Sequence, residues 1–280
     1  MTRAEFEQLL ASADLLTVGQ TADAARRDRH GARATYVTVF AVNVENGVPE
    51  TLDVPEDAME IRLVGRPASL EVAIAAVTAT RAAAGDRVVT GFSLADIADL
   101  AQAEAVTLRD AAARLASAGL TSLAEVPVDR IDDVHTAVRD VMAGGLQAWR
   151  AVVERATWDA RLDLIERVAA LQRETGALRA FAPLPRVDDP EAPSTGFDDV
   201  RTIAAARLLC EVPHIQVDWP LYGPKLAQVA LTYGADDIDG VSGGGPNELG
   251  WRRAPVADVE RNIRAAGHEP AARDGRFDVP

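Results

Sequence analysis

The stretch GFDDVRTIAAARLLCEVPHIQVDWPLYGPKLAQVALTYGADDIDG, residues 196–240, passes twice from a helical pattern to a strand pattern. RTIAAARLL repeats its apolar residues with a helical period, and Asp198 and Asp199 before it suit the first turn of a helix, where acidic groups are favourable. HIQVDW and DIDGV are short runs with β-branched residues, as is typical of buried strands. A segment that alternates in this way predicts a parallel sheet wrapped by helices.

The same alternation continues along the rest of the chain. Its helical segments include LEVAIAAVTATRAAAG, which ends at Gly85, and DARLDLIERVAALQRETG, which ends at Gly176, since glycine commonly follows a helix end. The candidate strands are Thr35–Val42, Met59–Val64, Arg87–Thr90, Ser122–Val126, Gln147–Val153, Leu178–Ala182, His214–Trp219 and Asp237–Val241. Strands and helices in this number predict a (β/α)8 barrel of the TIM type. A doubly wound open sheet is the alternative, but no GxGxxG motif follows the first strand.

One domain, residues 1–280, is the organisation that we expect. Residues 1–34 form a helical lead-in, and residues 251–280 form a C-terminal helix and tail. The Pro-rich passage from Pro183 to Gly196 is too short to mark a domain boundary. Between the first two strands, NVENGVPETLDVPEDA has two prolines and little helical period, so we expect the first crossover helix to be shortened or absent.

The composition excludes several functional classes. The formal charge is −14 and the pI is about 4.7, so the surface repels polyanions and nucleic acid is not an expected partner. Cys210 is the only cysteine, which excludes an internal disulfide and a multi-thiolate site within one chain. The N-terminal segment is charged and amphipathic, unlike a signal peptide, and no apolar run approaches the length of a membrane span. We therefore expect a soluble, cytoplasmic protein.

The motifs of residues 196–240 carry a specific resemblance. RTIA, PHIQ, W-x-x-x-GPK-x-A-Q-x-A and GADD occur in this order. This pattern resembles the C-terminal part of the radical-SAM enzymes aminofutalosine synthase and dehypoxanthine-futalosine cyclase and, more distantly, the deazaflavin (F420 precursor) synthases. LLTVGQTADAARRDRHGARATYV and LIERVAALQRETGALRAFAPL are also similar to that family. The resemblance implies a radical-SAM type of barrel and a link to menaquinone biosynthesis by the futalosine route.

The same resemblance implies where an iron–sulfur cluster would be bound. In that family a Cys-x3-Cys-x2-Cys loop follows the first strand and an Asn-x-Thr-Asn prelude, and it holds a four-iron cluster. The prelude is matched here at Asn43, Glu45 and Asn46. The three ligand positions fall on Val48, Leu52 and Pro55. None of these side chains can bind iron, so we expect no cluster and no radical chemistry.

A second family element binds S-adenosylmethionine through a Gly-Gly pair after the second strand. Here LVGRPAS keeps Gly65 but has Arg66 in place of the second glycine, so binding of S-adenosylmethionine is in doubt. Arg66 is instead a candidate anion-binding residue at the barrel mouth, against the alternative of a solvated loop arginine. Asn43, Glu45 and Asn46 would line the same mouth, or would serve only in Asx-turn hydrogen bonds.

Two further places at the strand ends offer candidate ligand-binding residues. In DGVSGGGPNELG, the residues Ser242, Gly243 and Gly244 could present backbone N–H groups to a phosphate, or could belong to a flexible loop. In HIQVDWPLYGPK, Asp218 and Trp219 end a strand, and Lys225, the only lysine, begins the next helix. Lys225 could contact an anion or act as a reactive amine, or the segment could be only a structural turn.

A metal site is not predicted. The four histidines are His30, His135, His214 and His268, and they lie far apart in sequence without His-x-His or HExxH spacing. The acidic pairs 132/133, 188/189, 198/199 and 236/237 are mostly expected as helix-start or loop charges. No Ser-His-Asp or Cys-His arrangement is indicated by the spacing.

Three functional hypotheses follow. The first is a cluster-less paralogue that acts as a non-radical partner of a cysteine-bearing relative. The second is a lyase- or hydrolase-type enzyme, or a binding protein, for an anionic nucleoside-like or carboxylate ligand. Its mouth residues would be Arg62, Arg66, Glu125, Arg150, Asp218 and Lys225, although Arg62 and Arg150 could also point outwards to the helices. The third is a pocket that still binds S-adenosylmethionine or a nucleoside without iron.

Overall fold

The computed structural model describes residues 1–45, 47, 51–187, 194–243 and 256–280, apart from the side chains of residues 158 and 159. The strands are β1 (Arg33–Asn43), β2 (Glu60–Val64), β3 (Val88–Ser93), β4 (Ser122–Pro127), β5 (Arg150–Val153), β6 (Ala180–Pro185), β7 (His214–Asp218), β8 (Asp237–Ser242) and β9 (Glu269–Ala272). The helices are α1 (Arg3–Ser12), α2 (Leu15–His30), α3 (Leu70–Ala83), α4 (Leu94–Ala103), α5 (Leu108–Ser117), α6 (Val134–Ala143), α7 (Trp158–Thr175), α8 (Gly196–Leu209), α9 (Trp219–Leu231) and α10 (Val256–Ala265).

Strands β1 to β8 form a closed parallel barrel. Each strand from β2 to β7 pairs with the next, β8 pairs with β1, and β1 pairs with β2 to complete the circle. In the closing pair, Val39 lies opposite Glu60 and Asn43 opposite Val64. The predicted (β/α)8 barrel is therefore confirmed, and the open-sheet alternative is wrong. None of the described helices is long and apolar enough to cross a membrane.

The connection between β1 and β2 differs from the others. Residues 44, 45, 47 and 51–59, the described part of this connection, contain no helix, as the sequence predicted. A helix follows each of the strands β2 to β8. Since the βα connections of a barrel leave from the carboxyl ends of its strands, this loop borders the barrel mouth.

Strand alternation divides the buried residues into an apolar layer and a charged layer. Ile61 and Leu63 on β2 are fully buried in the apolar core. The alternate residues of this strand are charged. Arg62 pairs with Glu60 and with Asp239 inside the barrel. The barrel interior therefore holds ion pairs, whereas the hydrophobic core lies in the surrounding layers.

The predicted helix ends are largely confirmed. Thr195 caps α8 and forms a capping box with Asp198, which explains the acidic pair in front of RTIAAARLL. Gly176 ends α7 in the left-handed conformation, with φ 61°. Helix α3 ends at Ala83, and Gly85 follows two residues later with φ 59°.

The C-terminal tail contains a strand that the sequence did not predict, because EPAA has no β-branched residue. β9 pairs in parallel with the start of β1, where Glu269 lies opposite Arg33. Behind it, the fully buried Arg273 makes two hydrogen bonds to Asp237, of 2.6 and 2.8 Å. The Arg273 guanidinium also lies 3.9 Å from the ring centre of Phe277. The tail thus closes the amino-terminal end of the barrel, which we call the base.

Candidate ligand site at the barrel mouth

A cavity of about 1040 Å³ opens at the carboxyl ends of the strands. We call this region the mouth. Its charged lining residues are Arg62, Arg66, Asp96, Glu125, Arg150, Arg186 and Asp218. Its apolar lining residues include Phe40, Val42, Leu52, Phe92 and Leu221. The volume and the mixed lining are typical of small-molecule sites, so the mouth is not plugged by apolar side chains.

Asp239 anchors the charged floor of the cavity. Its carboxylate accepts two hydrogen bonds from Arg62, of 2.7 and 2.9 Å, and Arg62 Nε donates to Glu60 at 2.7 Å. Burial alone would raise the pKa of Asp239, but Arg150 and Arg62 hold this pKa well below its usual range. Burial likewise opposes the charge of Arg62, yet Asp239 and Glu60 raise the pKa of its guanidinium. These groups are therefore ionised and fixed in place.

Arg150 connects this floor to the mouth. Its Nη2 lies 2.8 Å from Asp239 and 3.3 Å from Asp218, and its Nε donates to Gln216. Burial lowers the pKa of Arg150 from its ordinary value, although the two carboxylates favour the charge. Arg62 and Arg150 thus point into the barrel, and the alternative that they point outwards to the helices is wrong.

Arg186 spans one side of the mouth. It follows β6 directly, and its guanidinium pairs with Glu125 of β4 and, at 2.9 Å, with Asp218 of β7. The side chains of Arg186 and Glu125 are 23% and 26% exposed, so solvent or a ligand reaches them. Arg186 Nε is buried and has no hydrogen-bond partner among the described residues. Arg186 therefore has one buried donor that the described residues leave unsatisfied.

The opposite rim is more open. Arg66 is 56% exposed, pairs with Asp99 at 2.9 Å and lies 3.7 Å from Asp96. Burial raises the pKa of the Asp96 carboxyl; Arg66 counteracts this effect and Glu125 adds to it. Phe92, at the end of β3, has a positive φ of 62°, a strained conformation for a non-glycine residue. Strain and a raised carboxyl pKa thus occur together at one edge of the cavity.

Glu45 covers the turn at Gly65, the position that the resemblance matches to the Gly-Gly pair of the family. Gly65 has φ 88°, and a Cβ there would lie 2.9 Å from Glu45 Cγ. Glu45 Oε1 accepts the backbone N–H of Arg66 at 3.3 Å. Asn43 Oδ1 accepts the N–H of Glu45 at 2.8 Å, which is the predicted Asx-turn alternative. The side chain of Glu45 thus already accepts the backbone N–H of Arg66 at this turn.

The other predicted site residues separate into two groups. Asp218 lines the cavity and caps α9 through a hydrogen bond from the N–H of Leu221, and Ser242 and Gly243 also line the cavity. In contrast, Trp219 is buried in the core and does not line the cavity. Lys225 is exposed on α9 and likewise does not line it. Asn46 and Gly244 lie outside the described residues.

Sequence reasoning missed Arg186, Asp96 and Asp239. Arg186 lies in the Pro-rich passage from Pro183 to Gly196, and its place just after a strand was a usable signal. The pair at 236/237 fits the expectation of helix-start or loop charges only in part, because Asp236 lies in the loop before β8 but is buried, and Asp237 lies in β8. Asp236 is buried against Arg207 and His214, and Asp237 against Arg273. Asp133 does cap α6, and residues 188 and 189 lie outside the described part of the chain.

The residues present do not fit an iron–sulfur cluster. Leu52 lines the cavity with an apolar side chain, Pro55 has no ligating atom, and Val48 is not among the described residues. The only thiol, Cys210, is 2% exposed at the end of α8, and its Sγ donates to the carbonyl oxygen of Ile165. One buried thiol away from the cavity cannot replace three cysteine ligands.

Comparisons with known proteins agree with the motifs. Aminodeoxyfutalosine synthase of Thermus thermophilus is 34% identical over 139 residues, which cover 43% of this chain and 37% of that protein. The 5-amino-6-(D-ribitylamino)uracil–L-tyrosine 4-hydroxyphenyl transferase of Archaeoglobus fulgidus is 26% identical over 219 residues, 67% of this chain and 64% of that protein. The matched region therefore spans less than two thirds of the length of each of these relatives. No protein-family model matches the chain.

Solved structures share the barrel. Methylornithine synthase (PylB) has a TM-score of 0.67 at 13% identity, and the match covers 99% of this chain and 95% of that one. The FeFe-hydrogenase maturase HydG from Carboxydothermus hydrogenoformans has a TM-score of 0.67 at 11% identity, with 97% and 76% covered. At such low identity these matches establish the fold alone. The sequence relatives, together with the motifs of residues 196–240, support this chain as a divergent relative of the radical-SAM enzymes of the aminofutalosine synthase type.

Proposed function

We propose that this chain is a cluster-less relative of the futalosine-pathway enzymes that binds a small polar ligand in its mouth cavity and works without radical chemistry. The sequence supports the cluster-less part, because the chain has one cysteine and apolar residues at the family's ligand positions. The link to menaquinone biosynthesis rests on the relatives.

The observation that carries the binding proposal is the open, charged cavity. A barrel kept only as a scaffold has no need for an opening of about 1040 Å³ lined by paired guanidinium and carboxylate groups. Arg186 lines the cavity and is partly exposed, so it is the residue that we expect to receive a ligand carboxylate or other anionic group. Phe92 and Leu52 supply an apolar surface for a planar ring. An anionic nucleoside-like or aromatic carboxylate ligand matches both features.

Turnover of a lyase or hydrolase type would use the carboxylates of the rim. Asp96 and Glu125 both line the cavity, and burial raises the pKa of Asp96. A carboxyl group with a raised pKa can donate or accept a proton closer to neutral pH than an ordinary aspartate. Asp96 is therefore the proposed proton-transfer residue, and Arg186 is the proposed anion-binding residue.

Isothermal titration calorimetry tests the binding proposal with benzoate, adenosine 5′-monophosphate, adenosine and S-adenosylmethionine as probes. We expect heat with at least one anionic probe, and we expect the variant Arg186→Gln to weaken it at least tenfold. The matched control is Arg139→Gln, since Arg139 also pairs with a carboxylate but lies on the surface, 58% exposed. No heat with any probe at millimolar concentration, or equal weakening in both variants, would contradict a ligand site at Arg186.

The cluster-less part has its own experiment. After anaerobic reconstitution with iron and sulfide, we expect no bound iron and no iron–sulfur absorption. A stoichiometric cluster would overturn this part. Heat with S-adenosylmethionine in iron-free protein would instead support a retained cofactor pocket, the third hypothesis.

A non-radical partner role is the second candidate function, and exposed apolar residues favour it. Phe197 at the start of α8 is 67% exposed and Leu221 at the start of α9 is 46% exposed. Leu221 lines the mouth cavity, and α8, which follows β6 after residues 186–195, begins on the same side of the barrel. A cysteine-bearing relative should then co-purify with the wild-type chain and be lost from the variant Phe197→Ser with Leu221→Ser. Monomeric behaviour without any effect on the relative's activity would exclude this role.

A further inference from the structure

Two histidines and an aspartate meet at the base of the barrel, at the opposite end from the mouth. His30 ends α2, His214 begins β7, and Asp236 directly precedes β8. Asp236 Oδ2 lies 2.6 Å from His214 Nδ1 and 3.4 Å from His30 Nε2. The two imidazole rings are stacked, with their centres 5.0 Å apart. Residues 184 positions apart in sequence are thus brought into one cluster by the closure of the barrel.

The three side chains present ligand atoms of the kind that transition metals bind. Two imidazole nitrogens and one carboxylate oxygen lie within 4.8 Å of one another. Zn²⁺ is commonly held by histidine nitrogen and carboxylate oxygen, with solvent completing an open site. The side chains of His30 and His214 are 18% and 15% exposed, so an ion in solution can reach them.

The surroundings orient the carboxylate towards the imidazoles. Asp236 Oδ1 accepts hydrogen bonds from the guanidinium of Arg207 and, at 2.9 Å, from the backbone N–H of Ile215. Asp236 Oδ2 is then left facing the two histidines. Outer partners that fix a ligating carboxylate in this way are usual at metal sites.

We propose that His30, His214 and Asp236 bind one divalent transition-metal ion such as Zn²⁺ and thereby fasten α2 to the base of β7 and β8. His30 Nε2 contacts the carbonyl oxygen of Pro213, and His214 Nδ1 contacts Asp236. Both nitrogens must be free of protons to bind the ion, so the affinity should fall as the pH decreases. The site is separate from the mouth cavity, and its test does not depend on the proposed function.

Equilibrium dialysis of the chelator-treated full chain against Zn²⁺ tests the proposal, with metal analysis and thermal unfolding as the two readouts. We expect one Zn²⁺ per chain and a higher unfolding temperature with Zn²⁺ than without it. The variants His30→Gln and His214→Gln should each lose the bound ion and the temperature rise. His135→Gln is the matched control, since His135 pairs with the exposed Glu174 outside this cluster.

His30→Gln is the deciding variant if His214→Gln does not fold, because glutamine can still donate to the carbonyl oxygen of Pro213. No stoichiometric Zn²⁺ in the wild-type chain would overturn the proposal. Zn²⁺ that stays bound in His30→Gln and is lost in His135→Gln would overturn it as well, because the ion would then lie elsewhere.

Discussion

The base and the mouth of the barrel are built from the same residue types but differ in how completely those residues are buried. At the base, Arg273 and Asp237 are 1% and 0% exposed, and every described oxygen of Asp237 is hydrogen-bonded. At the mouth, Arg186 and Glu125 keep about a quarter of their side-chain surface, and Arg66 keeps more than half.

This difference assigns different roles to similar ion pairs. Breaking a fully buried pair leaves a charge without solvent or partner, which is strongly destabilising. A partly exposed pair can exchange its partner for water or a ligand at small cost. The base pairs therefore hold the barrel together, whereas the partly exposed pairs of Arg186 and Arg66 at the mouth are available for binding.

The largest expected effect comes from breaking a pair at the base. The variant Arg273→Met leaves Asp237 as an uncompensated buried carboxylate and should lower the free energy of unfolding by roughly 3–5 kcal/mol. Urea denaturation followed by circular dichroism measures this change. The control Arg276→Met, which removes an arginine 46% exposed in the same tail, should change it by less than about 1 kcal/mol.

A double variant sharpens this prediction. Arg273→Met combined with Asp237→Asn removes the stranded charge but keeps an acceptor for Thr35, which donates to Asp237 at 2.6 Å. Part of the lost stability should return. A double variant less stable than Arg273→Met alone would show that the charge of Asp237 is not what destabilises the single variant.

A smaller loss is expected at the turn of the mouth that Glu45 covers. The variant Gly65→Ala places a Cβ 2.9 Å from Glu45 Cγ at a position with φ 88°, and it should destabilise the fold by about 1–2 kcal/mol. Urea denaturation again measures the change. Adding Glu45→Ala should recover the stability lost to the contact with Glu45. The stability lost because alanine is unfavourable at a positive φ, the backbone part, should remain lost. Gly176→Ala, at φ 61° with no atom near the added Cβ, reports the backbone part by itself.

The mouth ion pair should contribute less to stability than either of these. Arg186→Gln should change the free energy of unfolding by about 1 kcal/mol or less, because Glu125 keeps access to solvent and Asp218 keeps Arg150 as a partner. The same variant is expected to weaken ligand binding, so its effects on stability and on affinity should separate. A loss as large as that of Arg273→Met would place Arg186 among the structural pairs and contradict the distinction between mouth and base.

The sequence predicted the barrel well and the cavity lining only partly, for a physical reason. Eight strands followed from local patterns, since β-branched runs and helical periods are properties of neighbouring residues. Whether Arg62 and Arg150 point inwards depends on strand register, and a shift of one residue reverses the side that each faces. His30 and His214 come into contact only because the barrel closes, and local sequence spacing does not indicate this contact. Leu52 and Pro55, at cluster-ligand positions, were informative because the resemblance supplied their spatial context.

The smallest expected effect is on the protonation and reactivity of Cys210, the only thiol in the sequence. Burial raises the pKa of Cys210 to about 12, and the nearby arginines Arg173, Arg207 and Arg29 counteract this only in part. The folded chain therefore retains the thiol proton at a pH where the unfolded chain, with a pKa of about 8.5, loses it. This contribution to stability is complete below the unfolded pKa and declines as the pH rises from there towards 12. In mildly alkaline buffer, a colorimetric thiol reagent should react with the urea-unfolded chain and hardly at all with the native one. Rapid reaction of the native chain would place a reactive thiolate within reach of solvent and would contradict the burial of Cys210.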